Sequence, residues 1–221
     1  MGVLIYIMGI MRLDERKESI LDFIVRDYVR TACPVSSFRV RERKSLDLSP
    51  ASIRNIMLEL DGEGFLHQPH TSAGRAPTEK GYKYFVDNLM EERSIPENVK
   101  ADFDKIFSDF FGESMFDELA SFMAQRLRLF SGILANGRIF KRGFAEVVRE
   151  PEFKEHDFLV EFAEFTDNIE ENIENFDGIN IGSFSVVSSR FGPNHIVFSA
   201  GPRRMDYEKA SAFIKYLTQS I

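Results

Sequence analysis

Two prolines set the frame for the first part of this chain, because proline cannot continue a helix but readily opens one. Upstream of Pro34, the residues Ile20, Phe23, Ile24, Asp27 and Tyr28 recur at helical spacing, which predicts a helix from Asp14 to Thr31. Pro34-Val35-Ser36 reads as a turn. Ser36 is placed to cap a short second helix carrying Arg39, Arg41, Arg43 and Lys44. Ser49 as N-cap and Pro50 at the first helical position then start a third helix. Its core face is Ile53, Ile56, Met57 and Leu60, and its stop is Gly62 or Gly64.

A short cationic helix followed by a helix that opens on small polar residues has the layout of a helix-turn-helix. The second helix of such a pair presents its N-terminal residues, here Ser49, Ser52, Arg54 and Asn55, to the floor of the DNA major groove. Arginine bonds a guanine edge and asparagine an adenine edge in bidentate fashion, while hydroxyls and helix N-termini suit phosphate. An ordinary three-helix packing unit with a polar outer face fits the same spacing. Beyond it, Phe65-Leu66-His67-Gln68 reads as a short strand and residues 69–77 as a loop of turn formers carrying Arg75. Another helix begins at Thr78 and runs through Tyr82, Phe85, Val86 and Leu89. Helix, helix, strand and basic loop in this order make a winged helix, whose wing lies on the DNA backbone or enters the minor groove. His67 and His70 read as surface or half-buried histidines, and no residue spacing here suggests a metal.

Charge supports a division of the chain. Its 221 residues hold 28 Lys+Arg and 35 Asp+Glu, a net −7 that argues against a nucleic-acid partner until its distribution is considered. Residues up to Arg93 carry 14 basic and 14 acidic groups, so the whole excess of acid lies after Ser94. Between Ser36 and Lys83 basic residues outnumber acidic ones by eight to six. The expected domains are therefore 12–93 and 94–221, the first neutral to basic and the second acidic. The opening apolar run, MGVLIYIMGIM, is far short of the roughly 20 residues of a membrane span and lacks the flanks of a signal peptide. Met8 or Met11 is as good a start as Met1. A lone cysteine, Cys33, excludes an internal disulfide framework and suits a reducing compartment, so the expected location is the cytoplasm.

The stretch from Asp27 to Met90 resembles the DNA-binding domain of the heat-inducible transcription repressor HrcA family of bacteria. The resemblance is carried by Asp27-Tyr28, Pro34-Val35, Ser49-Pro50-Ala51-Ser52-Ile53-Arg54-Asn55 and above all Gln68-Pro69-His70-Thr71-Ser72-Ala73-Gly74-Arg75. It continues through Pro77-Thr78 and Gly81-Tyr82. Gly201-Pro202-Arg203-Arg204-Met205-Asp206-Tyr207 is similar to the family's closing motif, and Glu150-Pro151-Glu152-Phe153 to another landmark. The chain departs from the family at Ile56, where an acidic residue is usual, at Arg203, where Thr is usual, and in a markedly shorter middle. The resemblance implies a winged helix-turn-helix followed by a GAF-like domain, here reduced and lacking most of an inserted dimerising segment. It also implies repression of chaperone genes by a homodimer on an inverted-repeat operator in double-stranded DNA. The chaperonin GroEL would be a partner that keeps the repressor active, heat would relieve repression, and neither a cofactor nor a membrane would be involved. The expected contacts are Ser36, Arg39, Lys44, Ser49, Ser52, Arg54, Asn55, His70, Thr71, Ser72 and Arg75, with Arg54 and Asn55 reading bases and Lys44 and Arg75 on phosphates or in the minor groove.

The second half predicts an α+β domain with a helical core. Phe103, Ile106, Phe107 and Phe110 form one helical stripe, and Phe116, Leu119, Met123, Leu127 and Phe130 another. With 22 phenylalanines in the chain, part of that surface suits a subunit interface. A helix from about His156 to Asn175 carries a solvated acidic face. Alternation from Ile179 to Val187 and the run Ile196-Val197-Phe198 predict strands, and Ala210, Phe213, Ile214 and Leu217 a closing helix. No GxGxxG, phosphate loop, HExxH or GxSxG occurs, so the chain does not read as an enzyme. The alternative from another class is a winged-helix protein-interaction module that has lost operator binding.

Overall fold

The computed structural model describes residues 6–7, 10–42, 48–71 and 73–220. The chain divides into two compact units, Met1–Met90 and Glu91–Ile221.

In the first unit, Tyr6–Ile7 (β1) and Ile10–Met11 (β2) pair antiparallel. Helix α1, Glu15–Thr31, begins where the Asp14 carboxylate accepts from the amides of Arg16 and Lys17. It ends at Ala32, which is left-handed at φ 53°. Its buried stripe of Ile20, Leu21, Ile24 and Val25 packs against Val40 of α2 (Ser37–Arg41) and Ile53, Met57 and Leu60 of α3 (Pro50–Gly62). Ile56, expected on the core face, is half-buried at its margin. Strands β3 (Leu66–His67) and β4 (Ala76–Pro77) pair antiparallel. Thr78 caps α4 (Glu79–Tyr84), which continues as a π-helical turn over Phe85–Leu89. Gly81 is required by a close approach: a Cβ there would lie 2.2 Å from the Phe65 carbonyl oxygen.

The second unit begins with α5 (Glu97–Asp109) and α6 (Glu113–Leu127). Here the sequence reading needs correction. The second phenylalanine stripe does not run to Phe130: Arg128 adopts φ 58° and ends α6, and Phe130–Ala135 is strand β5. A turn at Asn136-Gly137, both at positive φ, leads into β6, Arg138–Arg142. The core is therefore shared: buried residues of α5 and α6 pack with a sheet that the helical stripes did not announce. After α7 (Phe144–Val147) and a 3-10 turn at Pro151–Lys154, the expected helix of about His156 to Asn175 is three pieces. These are α8 (His156–Asp167), α9 (Ile169–Asn172) and a 3-10 turn at Ile173–Asn175. Strands β7 (Gly178–Asn180), β8 (Phe184–Phe191) and β9 (His195–Pro202) precede the closing helix α10, Tyr207–Ser220. The five strands form one antiparallel sheet in the order β6-β5-β9-β8-β7.

Strand register assigns the two faces. Phe130 stands opposite Ala200 and Gly132 opposite Phe198, so these four share a face with Phe184 and Val186. Phe162 of α8, fully buried, lies on that face with its ring 5.0 Å from that of Phe184 and 6.2 Å from that of Phe130. Removing a ring so enclosed costs roughly 3–5 kcal/mol. Residues Ser131, Ile133, Ser185, Val187, Val197 and Ser199 look the other way, toward α6 and α10. On this side polar groups are buried in satisfied pairs, Ser131 with Ser199 at 2.9 Å and Ser185 with the Tyr207 hydroxyl at 2.8 Å. Arg204 joins the two C-terminal landmarks, with Nε 2.6 Å from Glu152 and Nη2 2.6 Å from Glu150.

Candidate nucleic-acid interface

Helix α3 is electrically lopsided. Its first turn carries no acidic residue, and its N-terminal amides are capped by Ser49, whose hydroxyl accepts from the Ser52 amide at 3.1 Å. The hydroxyls of Ser49 and Ser52 stand 2.9 Å apart. The carboxylates of α3 and of Glu63, which caps it, lie toward the other end, and each has a cation. Lys17 of α1 reaches Glu59 at 2.9 Å and Glu63 at 2.6 Å, and Arg75 reaches Asp61 at 2.7 Å. Burial works against charge on Lys17, but its hydrogen bonds to Glu63 and Glu59 outweigh that and hold the ammonium above its ordinary pKa. Among the described residues no carboxylate compensates the positive end of the helix dipole at Ser49–Ser52, which favours an approaching anion. One turn further on, Arg54 and Asn55 are both exposed and have no hydrogen-bond or ion-pair partner among the described residues.

The segment 68–75 is arranged differently, because Gln68 and Arg75 are turned to partners within the protein. The Gln68 amide donates to the carbonyls of Thr71 at 3.0 Å and Ala73 at 2.9 Å, closing the loop on itself. Arg75 and Val35 exchange amide hydrogen bonds in both directions, each 2.8 Å, which ties the base of the loop to the residue before Ser36. That approach admits only glycine at position 74, where a Cβ would meet the Val35 carbonyl carbon and oxygen at 2.3 Å. His70 and Thr71 are left exposed at the tip.

The expected contact residues fall into three groups. Ser36, Ser49, Ser52, Arg54, Asn55, His70 and Thr71 are at or near the surface. Ser36 also caps α2, accepting from the Arg39 amide at 3.3 Å. Lys44 and Ser72 lie outside the described residues, as does Arg43. Arg39 and Arg75, expected to face outward, have internal partners instead. The Arg39 guanidinium bonds Asp27 at 2.8 Å, sharing that oxygen with Arg30, and Asp27 is buried in α1. The Arg75 side chain is 13% exposed and lies along α3 against Asp61. Asp27 and Gln68 stand in the motifs that carry the resemblance but not among the expected contacts, and nothing in the sequence marks Asp61. The signal for Asp27 was available, since a carboxylate on the apolar stripe of α1 needs a cation. Among the described residues, no group of His, Cys, Asp and Glu is arranged to hold a metal ion, and no helix is long and apolar enough to cross a membrane.

No family model matches the chain. A crystal structure described only as that of a hypothetical protein shares its fold, with a TM-score of 0.68 at 17% identity, covering 95% of this chain and 99% of that one. Curated relatives named heat-inducible transcription repressor HrcA match part of the sequence. That of Desulfitobacterium hafniense is 50% identical over 90 residues, 41% of this chain and 26% of the relative. That of Chlorobium phaeovibrioides is 48% identical over 93 residues, 42% of this chain and 26% of the relative. The match thus spans about a quarter of these relatives' length. Over about two fifths of its own length, at about half identity, the chain is similar to the heat-inducible transcription repressors HrcA.

Proposed function

We propose that this protein is a sequence-specific DNA-binding repressor of chaperone genes. In this reading residues 12–93 are a winged helix-turn-helix domain and residues 94–221 a reduced GAF-like domain for regulation and dimerisation. The observation that carries it is the pair Arg54 and Asn55, exposed and without a partner among the described residues, just beyond the capped, acid-free start of α3. Side chains of these two types at this place suit the edges of guanine and adenine in the major groove. Ser36, Lys44, Ser49 and Ser52 bind phosphates on either side. His70 and Thr71 at the tip of the loop, together with Ser72, lie along the backbone or in the minor groove. Arg39 and Arg75 act from within, fixing α2 to α1 and the loop to α3. The similarity to HrcA repressors supports the target genes and the mode of action, a homodimer on an inverted-repeat operator.

Relief of repression by heat follows from marginal stability, since a fold held by a few kcal/mol loses its binding-competent state over a narrow temperature range. A chaperonin such as GroEL that refolds the protein restores that state, which couples repression to free chaperonin. The test is a fluorescence-anisotropy titration of the full chain with the inverted-repeat duplex of its own chaperone promoter and with a scrambled duplex. Binding tighter to the promoter by roughly a thousandfold or more, and falling steeply with salt, is expected. Arg54→Ala lowers that ratio, whereas Lys44→Ala weakens both duplexes about equally. If neither substitution changes binding, the assignment is wrong. A monomer that ignores the duplex at low salt is the protein-interaction module instead.

A further inference from the structure

The second unit holds a cavity of about 360 Å³ between the start of α5, the end of α6 and α10. That is the lower end of the range for small-molecule sites, with room for on the order of ten non-hydrogen atoms. Its inner wall is apolar: Ile95, Val99, Ala212 and Phe213 are all buried. Three cations stand on the other side, and they are not equivalent. Arg93 is paired with the buried carboxylate of Glu208 and lies 3.7 Å from Asp206, and Arg126 lies 2.5 Å from Asp102. Lys209 has no carboxylate within ion-pairing distance among the described residues. Its ammonium donates to the Arg126 carbonyl at 2.5 Å and stands 5.9 Å from the Phe213 ring. Burial lowers the pKa of Lys209; Asp206 partly offsets this, and the Arg126 charge lowers it further.

We infer that this cavity binds a small organic monocarboxylate, with its carboxylate on Lys209 and Arg126 and its apolar tail against Ile95, Val99 and Phe213. The ligand's charge follows from Lys209, the one cation of the three whose ammonium meets no carboxylate within ion-pairing distance among the described residues: a single carboxylate suits it, whereas a dianion would add a second charge beside Glu208, Asp102 and Asp206. The apolar wall requires a tail, which separates this ligand class from inorganic anions. Nothing in the inference depends on DNA binding, and its readout is separate from repression.

Isothermal titration of the full chain with phenylpropionate, phenylpropanol and inorganic phosphate tests it. Phenylpropionate is expected to bind saturably at one site per chain, phenylpropanol at least roughly tenfold more weakly, and phosphate not at all. Lys209→Gln should weaken phenylpropionate by a similar factor and leave phenylpropanol unchanged. Ser94→Trp, at an exposed rim position of the cavity, should block both without altering the melting temperature. Absence of saturable binding by phenylpropionate, equal affinity for acid and alcohol, or binding indifferent to both substitutions overturns the inference. If Lys209→Gln does not fold, the three-ligand comparison and Ser94→Trp decide it.

Discussion

The start of α3 and the loop 68–75 are both rich in polar residues, yet they use them in opposite ways. At the start of α3 one serine caps the backbone, and Arg54 and Asn55 are exposed with no partner among the described residues. In the loop Gln68 holds two carbonyls, Gly74 admits the Val35 backbone, and Arg75 turns back to Asp61. Residue identity in the loop is demanded by the fold, whereas nothing among the described residues of the fold demands Arg54 and Asn55 on the helix. A distinctive motif is therefore not in itself a list of contacts. The most specific-looking part of QPHTSAGR shapes the loop, and what it presents is the short remainder at its tip.

That contrast predicts two kinds of failure. The largest effect belongs to Gly74→Ala, whose methyl would collide with the Val35 carbonyl. A loss of about 3 kcal/mol in local stability is expected, near the top of the range for over-packing. Hydrogen exchange should show the amides of Val35 and Arg75 unprotected, while Gly62→Ala, with nothing within 4 Å of the new methyl, leaves them protected. Arg54→Ala comes next: about 2 kcal/mol of discrimination between operator and scrambled duplex disappears in anisotropy titrations, with the urea midpoint unchanged. Asp61→Asn does the reverse. It removes the ion pair of Arg75, costs about 1 kcal/mol in urea unfolding, and leaves sequence preference intact. If Asp61→Asn alters preference as strongly as Arg54→Ala, the contrast between fold and contact fails.

The smallest effect near neutral pH is that of Tyr84→Phe. The Tyr84 hydroxyl accepts from the Leu13 amide at 2.8 Å and donates to Glu18 at 2.7 Å. Burial, reinforced by Glu18, pushes its pKa up to about 12 from the usual 10.0. The neutral phenol is the form the fold favours, so its contribution is complete below pH 10 and is lost as pH rises toward about 12. Stability measured against pH should decline over that window in the parent protein, and more shallowly in Tyr84→Phe.

The elements of the first unit were legible because their ends are marked chemically. Asp14, Ser36, Ser49 and Thr78 each cap the helix that follows, and Pro50 stands at a first helical position. The second unit hid its sheet. Strand β5 lies between β6 and β9 and is buried on both faces, so its run FSGILA has no alternation to read. Arg128 ends α6 in a left-handed conformation without a glycine to announce it. Asn136-Gly137, both at positive φ, is a hairpin signal in the sequence, but the helical spacing of Phe116 to Phe130 draws the start of β5 into the helix before it. At the candidate interface, the exposed pair Arg54 and Asn55 was legible from spacing. The inward turn of Arg39 and Arg75 was not, because it depends on carboxylates 12 and 14 residues away in sequence.

Strand β9 occupies the middle of the sheet although it is the last strand to be synthesised. β5 pairs with it across some sixty intervening residues, and β8 pairs with it as well. A ribosome making this chain releases the first unit whole, while in the second β5 and β8 each keep one edge open until residues 195–202 emerge. During that interval the open strand edges are templates for aggregation. Loss of even the last thirty residues in a prematurely terminated chain would leave the second unit without its centre. The nascent protein is itself, for part of its synthesis, the kind of molecule that chaperones bind.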